Sequence, residues 1–126
     1  MKKMIFDHFG GTDTCSTPEE AEKVFSCTVN GVNSFWISDG QHPVLSILVK
    51  DELAYAILFP DEGSAGIQAY ADEPPEGDST VFYINTPAEE IAICNEYVIP
   101  KPVAKQIMLE FVETQSLPDF LEWEEL

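Results

Sequence analysis

Carboxylates are the side chains this sequence offers most freely for chemistry. Adjacent pairs stand at Glu19-Glu20, Asp51-Glu52, Asp61-Glu62 and Glu89-Glu90, and Asp72, Glu73, Glu76 and Asp78 crowd one short segment. Two neighbouring carboxylates can divide general acid and base work or hold a divalent cation. In a chain this acidic such pairs arise by chance, so they carry little information about catalysis. A calcium loop needs acids at alternate positions, a central Gly and a closing Glu; Asp72 to Asp78, interrupted by Pro74, Pro75 and Gly77, lacks that order. His8 and His42 are the only imidazoles, and neither stands in a recognisable nucleophile-and-base setting. There is no G-x-S-x-G, no P-loop and no dinucleotide glycine pattern. Cys15, Cys27 and Cys94 are odd in number, widely spaced and free of any C-x-x-C, which points to reduced thiols rather than a zinc site or a disulfide framework. The expectation is a non-enzyme with no catalytic residue, no metal and no cofactor.

What remains is the field of the carboxylates themselves. Asp and Glu number 23 against six Lys, Arg is absent, and the formal charge is −17. Such a polyanion is repelled by nucleic acid and by anionic membrane and attracted to basic protein surfaces. The plainer reading is that acidity only maintains solubility. The first candidate contact surface is the loop holding Asp72, Glu73, Glu76 and Asp78; the second is the turn at Asp61 and Glu62. Tyr70 lies beside the first loop and could anchor a contact, since Tyr is enriched in binding hot spots; packing on a sheet is its alternative. Trp36 and Trp123 are read as core. Glu122, Glu124 and Glu125 either extend the anionic face or form a solvated tail.

The positioning elements read as one domain over residues 1–126. Apolar residues make up 44% of the chain and include eight Phe, enough for a core without staples. The N-terminus lacks a long apolar run and no stretch approaches the ~20 apolar residues of a membrane span, so a cytoplasmic protein is expected. Residues 1–16 suggest a strand or arm and a Gly-Gly turn. Thr17-Pro18-Glu19-Glu20 has the form of a capping box with Pro at the first helical position, and the spacing predicts a helix over 18–29. Strands follow around Phe35 to Ile37, Val44 to Val49, Leu53 to Phe59, Ile67 to Ala71 and Thr80 to Ile84, with Asp51-Glu52 turning a hairpin. Thr86 to Glu89 could begin a helical turn and Ile91 to Ile99 a strand. Val103, Ala104, Ile107, Met108, Phe111 and Val112 form the apolar stripe of a helix after Pro102, and the tail alternates as a strand that lays Trp123 on the core. The expected class is α+β: an antiparallel sheet of five to six strands packed by an N-terminal and a C-terminal helix.

The order of these segments, closing on Gln115-Ser-Leu-Pro-Asp-Phe-Leu-Glu-Trp-Glu-Glu-Leu126, resembles a known family. It is similar to the deaminase-associated immunity proteins, the first of the Imm series, found beside bacterial polymorphic toxins. Tyr97-Val-Ile-Pro100 leading into a helix and Trp123-Glu124 closing the chain carry the likeness, with Phe35 to Gly40, Pro43 to Ile47, Ala54 to Phe59 and Thr80 to Tyr83 in the middle. The resemblance implies a protein that binds a cognate toxin, often a zinc-dependent nucleic-acid deaminase, and blocks it in the producing cell; the charge of the acidic loops adds the expectation that it covers a basic substrate groove, as a monomer in a 1:1 complex. It names no contact residues. The alternative from another class is an acidic secretion chaperone, a dimer that holds an unfolded client; an enzyme using clustered carboxylates is the third.

Overall fold

The computed structural model describes residues 1–126. The first helix, α1 (Pro18–Phe25), starts where the capping box places it. Thr17 Oγ1 accepts from the Glu20 amide at 3.2 Å, and Glu20 Oε1 accepts from the Ser16 amide at 3.2 Å. It is shorter than the spacing predicts, because Ser26 caps it: the Ser26 hydroxyl donates back to the Lys23 carbonyl at 2.7 Å. Val29 and Val32 then exchange backbone hydrogen bonds of 2.8 and 3.1 Å around Asn30 and Gly31, whose φ values are 52° and 81°. Two consecutive left-handed residues make the two-residue turn that suits a hairpin, so Thr28 and Val29 lead into a strand instead of ending a helix.

That strand, β3 (Val32–Ser38), pairs antiparallel with β4 (Val44–Lys50), which pairs with β5 (Leu53–Phe59) through the expected Asp51-Glu52 turn. β4 and β5 each carry five consecutive buried residues. A strand covered on one face alternates; an unbroken run means both faces are covered. On the first face lie α1 and α2 (Lys101–Thr114), which bury Ala21, Phe25, Ala104, Ile107, Met108, Phe111 and Val112 against Phe35, Ile37, Leu45, Ile47 and Ala56. On the second face lies a hairpin of β7 (Ser79–Tyr83) and β8 (Glu90–Cys94), whose Phe82 and Ile93 pack on Leu48, Tyr55, Ile57 and Val98.

The sheet expected from sequence therefore needs correction in two respects. Thr80 to Ile84 is not the fifth strand of one meander; β7 forms a separate two-stranded sheet with β8. The main sheet has eight strands, not five to six. Beyond β3 to β5 it contains β1 (Met4–His8), β2 (Gly11–Cys15), β6 (Ile67–Ala69), β9 (Ile99–Pro100) and β10 (Trp123–Glu125), ordered β10-β6-β5-β4-β3-β1-β2 with β9 on β5. Phe9 and Gly10 turn the N-terminal arm into a hairpin that closes on the His8–Gly11 pair. The ambiguous 86–99 segment becomes a turn, β8, one 3-10 turn over Asn95–Tyr97, and β9. No helix is long and apolar enough to cross a membrane.

Candidate functional site

β6 is three residues long, and the two candidate acidic segments leave it at opposite ends. Asp61 and Glu62 stand exposed on the turn that enters it. Asp61 Oδ1 accepts from the Gly63 amide at 3.1 Å and its carbonyl from Ser64 at 3.2 Å, which rigidifies the turn. Gly66 closes it at φ 110°, where an added Cβ would lie 2.5 Å from Ile57 Cδ1; only Gly accepts both the conformation and the space.

At the other end, Asp72, Glu73, Glu76 and Asp78 are all exposed, yet their loop is tied down. The buried Asn95 holds it. Its amide nitrogen Nδ2 donates to the Glu76 carbonyl at 3.0 Å, its backbone N–H donates to the Asp78 carbonyl at 3.0 Å, and its Oδ1 accepts from Thr80 Oγ1 at 2.6 Å. The Ala71 amide donates to the Glu96 carbonyl at 2.8 Å. Asp72 and Glu73 form one rim of a cleft of about 210 Å³ floored by Ile99, Pro100, Val103 and Leu121.

Tyr70 is half-buried beside this loop, with its ring centroid 5.3 Å from that of Tyr97. Between the loop and the sheet edge the two phenols belong to a chain of polar contacts that sequence reasoning missed. β10 pairs with β6 so that Glu124 stands opposite Gln68. Gln68 Nε2 donates to Glu124 Oε2 at 2.9 Å, and Gln68 Oε1 accepts from the buried Tyr55 hydroxyl at 2.6 Å. Hydrogen bonding from Tyr97, then from Gln68 and Tyr70, holds the Glu124 carboxyl below its ordinary pKa. The reciprocal effects are large: the hydrogen bond to Glu124 and then desolvation raise Tyr97 well above the ordinary phenol range. Desolvation first, with Glu124 adding, raises Tyr70 and pushes Tyr55 up to about 12. Glu124 is thus an ordered anion rather than part of a solvated tail. The period-two alternation of the tail could have put Glu122 and Glu124 on one side, but nothing in the sequence gives their register against Gln68.

The ion pairs sharpen the contrast. Lys2 meets Asp39 at 3.0 Å and Lys105 meets Glu22, while Asp13 takes a hydrogen bond from the His8 ring at 2.7 Å. None of Asp61, Glu62, Asp72, Glu73, Glu76, Asp78 or Glu124 has a cationic partner. Lys23, Lys101 and Lys105, half of the six lysines, line one groove between α1 and α2 together with Glu19, Glu22 and Glu52. The other paired carboxylates are placed for structure: Glu20 caps α1 and Asp51-Glu52 form a turn. No three His, Cys, Asp or Glu residues converge as a metal would require. Trp123 half-packs on the main core with its Nε1 donating to the Pro118 carbonyl at 3.0 Å, whereas Trp36 lies half-buried on the second face, stacked on Phe59.

The sequence matches no family model, and no curated protein matches it.

Proposed function

We propose that this chain is an immunity protein: in the cytoplasm it binds a cognate bacterial toxin, a nucleic-acid deaminase on the favoured reading, and covers its basic substrate cleft. The observation that carries the reading is the unpaired rim of Asp72, Glu73, Glu76 and Asp78, held rigid by Asn95 and continuous with the Tyr70–Tyr97–Glu124 patch. An enzyme that works on DNA or RNA lines its groove with Lys and Arg to meet phosphates. A fixed row of carboxylates without internal counter-ions competes for that groove and pays little ordering entropy on docking. Steering by such a field raises association roughly ten- to a thousand-fold at low salt. The two tyrosines supply rigid, amphipathic area of the kind found in hot spots. Asp61 and Glu62, at the far end of β6, add to the field rather than to the same contact. The segment order that resembles the deaminase-associated immunity family points the same way.

The test is association kinetics with any basic toxin domain found encoded beside this gene. The wild type binds with a rate that falls steeply as salt rises. The variant Asp72→Asn, Glu73→Gln, Glu76→Gln, Asp78→Asn associates about tenfold more slowly at low salt, with a flatter salt dependence and a smaller change in dissociation. Unchanged kinetics in the variant remove the loop from the contact. Failure of the wild type to bind any neighbouring basic domain ends the immunity reading, and an obligate dimer by mass in solution would favour the chaperone.

A further inference from the structure

On the second face of the sheet, beyond the β7–β8 hairpin, a small cavity of about 150 Å³ is lined by Asp7, His8, Ser34, Trp36 and Asn85. Its composition first suggests a serine–histidine pair, and the strand geometry removes that. Asp7 pairs with Trp36 and with Thr12, so Ser34, Trp36, Asp7 and Thr12 share one face by alternation. His8, one residue on from Asp7, turns its ring to the opposite face, where it packs on Phe35 at 5.6 Å. Both ring nitrogens are taken there: Nδ1 accepts from the Gly10 amide at 3.1 Å, which leaves Nε2–H to donate to Asp13 at 2.7 Å. His8 supplies Ser34 with neither a base nor a charge.

What is left is one buried orphan, the Ser34 hydroxyl, beside two exposed residues, Asp7 and Asn85, that each keep an oxygen without a protein partner. Ser34 is 1% exposed, and its Oγ is the one buried side-chain polar atom in the protein without a hydrogen-bond partner. Native proteins satisfy nearly all such groups, so an orphan beside a cavity marks a place for another molecule. Asp7 Oδ1 accepts from Thr12 Oγ1 at 2.6 Å, which leaves Oδ2 free. Asn85 donates its Nδ2 to Glu89 at 3.1 Å, which leaves its Oδ1 free. Trp36, stacked on Phe59 at 6.1 Å, contributes an aromatic surface held in place. No lysine lines the cavity.

We propose that this cavity binds a primary alkylammonium group: the unpartnered Ser34 hydroxyl, Asp7 Oδ2 and Asn85 Oδ1 accept its three N–H donors, and Trp36 takes its cationic, methylene-flanked head. An ammonium presents three donors and no acceptor, matching three free acceptors, and a cation on an indole is attractive. A divalent metal is a poorer match, because one carboxylate gives it too little charge. An anion finds no donor charge. The volume, roughly that of five waters, suits an ammonium and its adjoining methylenes. Two sources present this group, the lysine side chain of a docked protein and a free polyamine. The lysine source rests on the immunity reading above, and the site itself does not.

The experiment is amide and indole NMR of the ¹⁵N-labelled protein, titrated at constant ionic strength with butylammonium, and with tetramethylammonium as a cation without N–H donors. Butylammonium gives saturable shifts at Asp7, Ser34, Asn85 and the Trp36 indole that tetramethylammonium does not. Asp7→Asn weakens the binding at least tenfold and Ser34→Ala several-fold, while shifts elsewhere stay as in the wild type. Butylammonium shifts no larger than those of tetramethylammonium, or undiminished in Asp7→Asn, overturn the proposal and leave Ser34 bonded to water only. Nα-acetyl-lysine methylamide and spermidine, run as separate arms, tell the two sources apart, and saturable binding of either supports the site. Butylammonium binding without toxin binding overturns the immunity reading alone; the reverse result overturns the ammonium site alone.

Discussion

Asn95→Ala tests whether the acidic loop is held or free. The side chain carries two hydrogen bonds, from Thr80 Oγ1 at 2.6 Å and to the Glu76 carbonyl at 3.0 Å. Each is worth about 1 kcal/mol net, and a partner left unpaired away from water adds to that. Glu76 is exposed, so its carbonyl recovers water; Thr80 is half-buried and recovers it less well. The sum is about 2–3 kcal/mol. With a urea slope of about 1.5–2 kcal/mol per molar for a domain of this size, the unfolding midpoint falls by about 1–2 M. Hydrogen exchange gives the local readout, since the Asn95 amide donates to the Asp78 carbonyl; its protection drops more than that of amides in β4. Thr80→Val removes the same bond from the other side, so the double variant loses less than the sum of the singles by about 1 kcal/mol. A midpoint shift worth less than about 0.5 kcal/mol, or strict additivity, would show that the loop does not depend on Asn95 and would remove the rigidity on which the docking argument rests.

Two further outcomes follow from the same geometry. Phe82 is fully buried and joins the hairpin to the second face of the sheet; Phe82→Ala costs about 3–5 kcal/mol in chemical denaturation, and a loss below about 1 kcal/mol would mean the hairpin is not a packed layer. The polar chain through Glu124 predicts both ends of the pH–stability profile. Glu124 has a lowered pKa when folded, so its contribution is present above its unfolded pKa near 4.5 and fades as pH falls through the folded value; Glu124→Gln flattens that acid limb. Tyr55 is raised from 10.0 to about 12, so its contribution is complete below pH 10 and fades between those two values. Two units correspond to at most about 2.7 kcal/mol, most of it from burial of the phenol on the interior strand β5. Tyr55→Phe flattens the alkaline limb, and an unaltered profile in both variants would refute the coupling.

Local signals were legible wherever they repeat within one element. The capping box at Thr17, the Asp51-Glu52 hairpin and the stripe from Val103 to Val112 each needed only near neighbours to be read, and each formed where the spacing puts it. Long-range choices were not legible. The unbroken runs Leu45 to Val49 and Ala54 to Leu58 signal burial on both faces, but periodicity cannot say that a hairpin from residues 79–94 supplies the second cover. β6, β9 and β10 have two or three residues each, too few for any period, and are defined by the partner they find. For the candidate site the acids were readable as a list and their organisation was not. That Asp61-Glu62 and Asp72 to Asp78 separate follows from β6 being antiparallel to β5, and that Glu124 joins Tyr70 and Tyr97 follows from the register of β10 on β6.

The placement of the charge explains how −17 coexists with a stable domain. No Asp or Glu is among the buried residues; the buried polar groups are Asn33, Ser34, Ser46, Gln68 and Asn95, all neutral. The core therefore carries no desolvated charge, and the carboxylates outside the cap, the ion pairs and the Glu124 contacts act on stability mainly through mutual repulsion across solvent, which salt screens within about 10 Å at 0.1 M. Four such carboxylates without an ion pair stand on the loop of Asp72 to Asp78, and it is there that Asn95 ties the backbone down. A basic partner and added salt relieve the same repulsion. Salt should thus stabilise the isolated protein while weakening its complex, a pair of opposite signs that a surface charged merely for solubility, with no partner to lose, has no reason to produce.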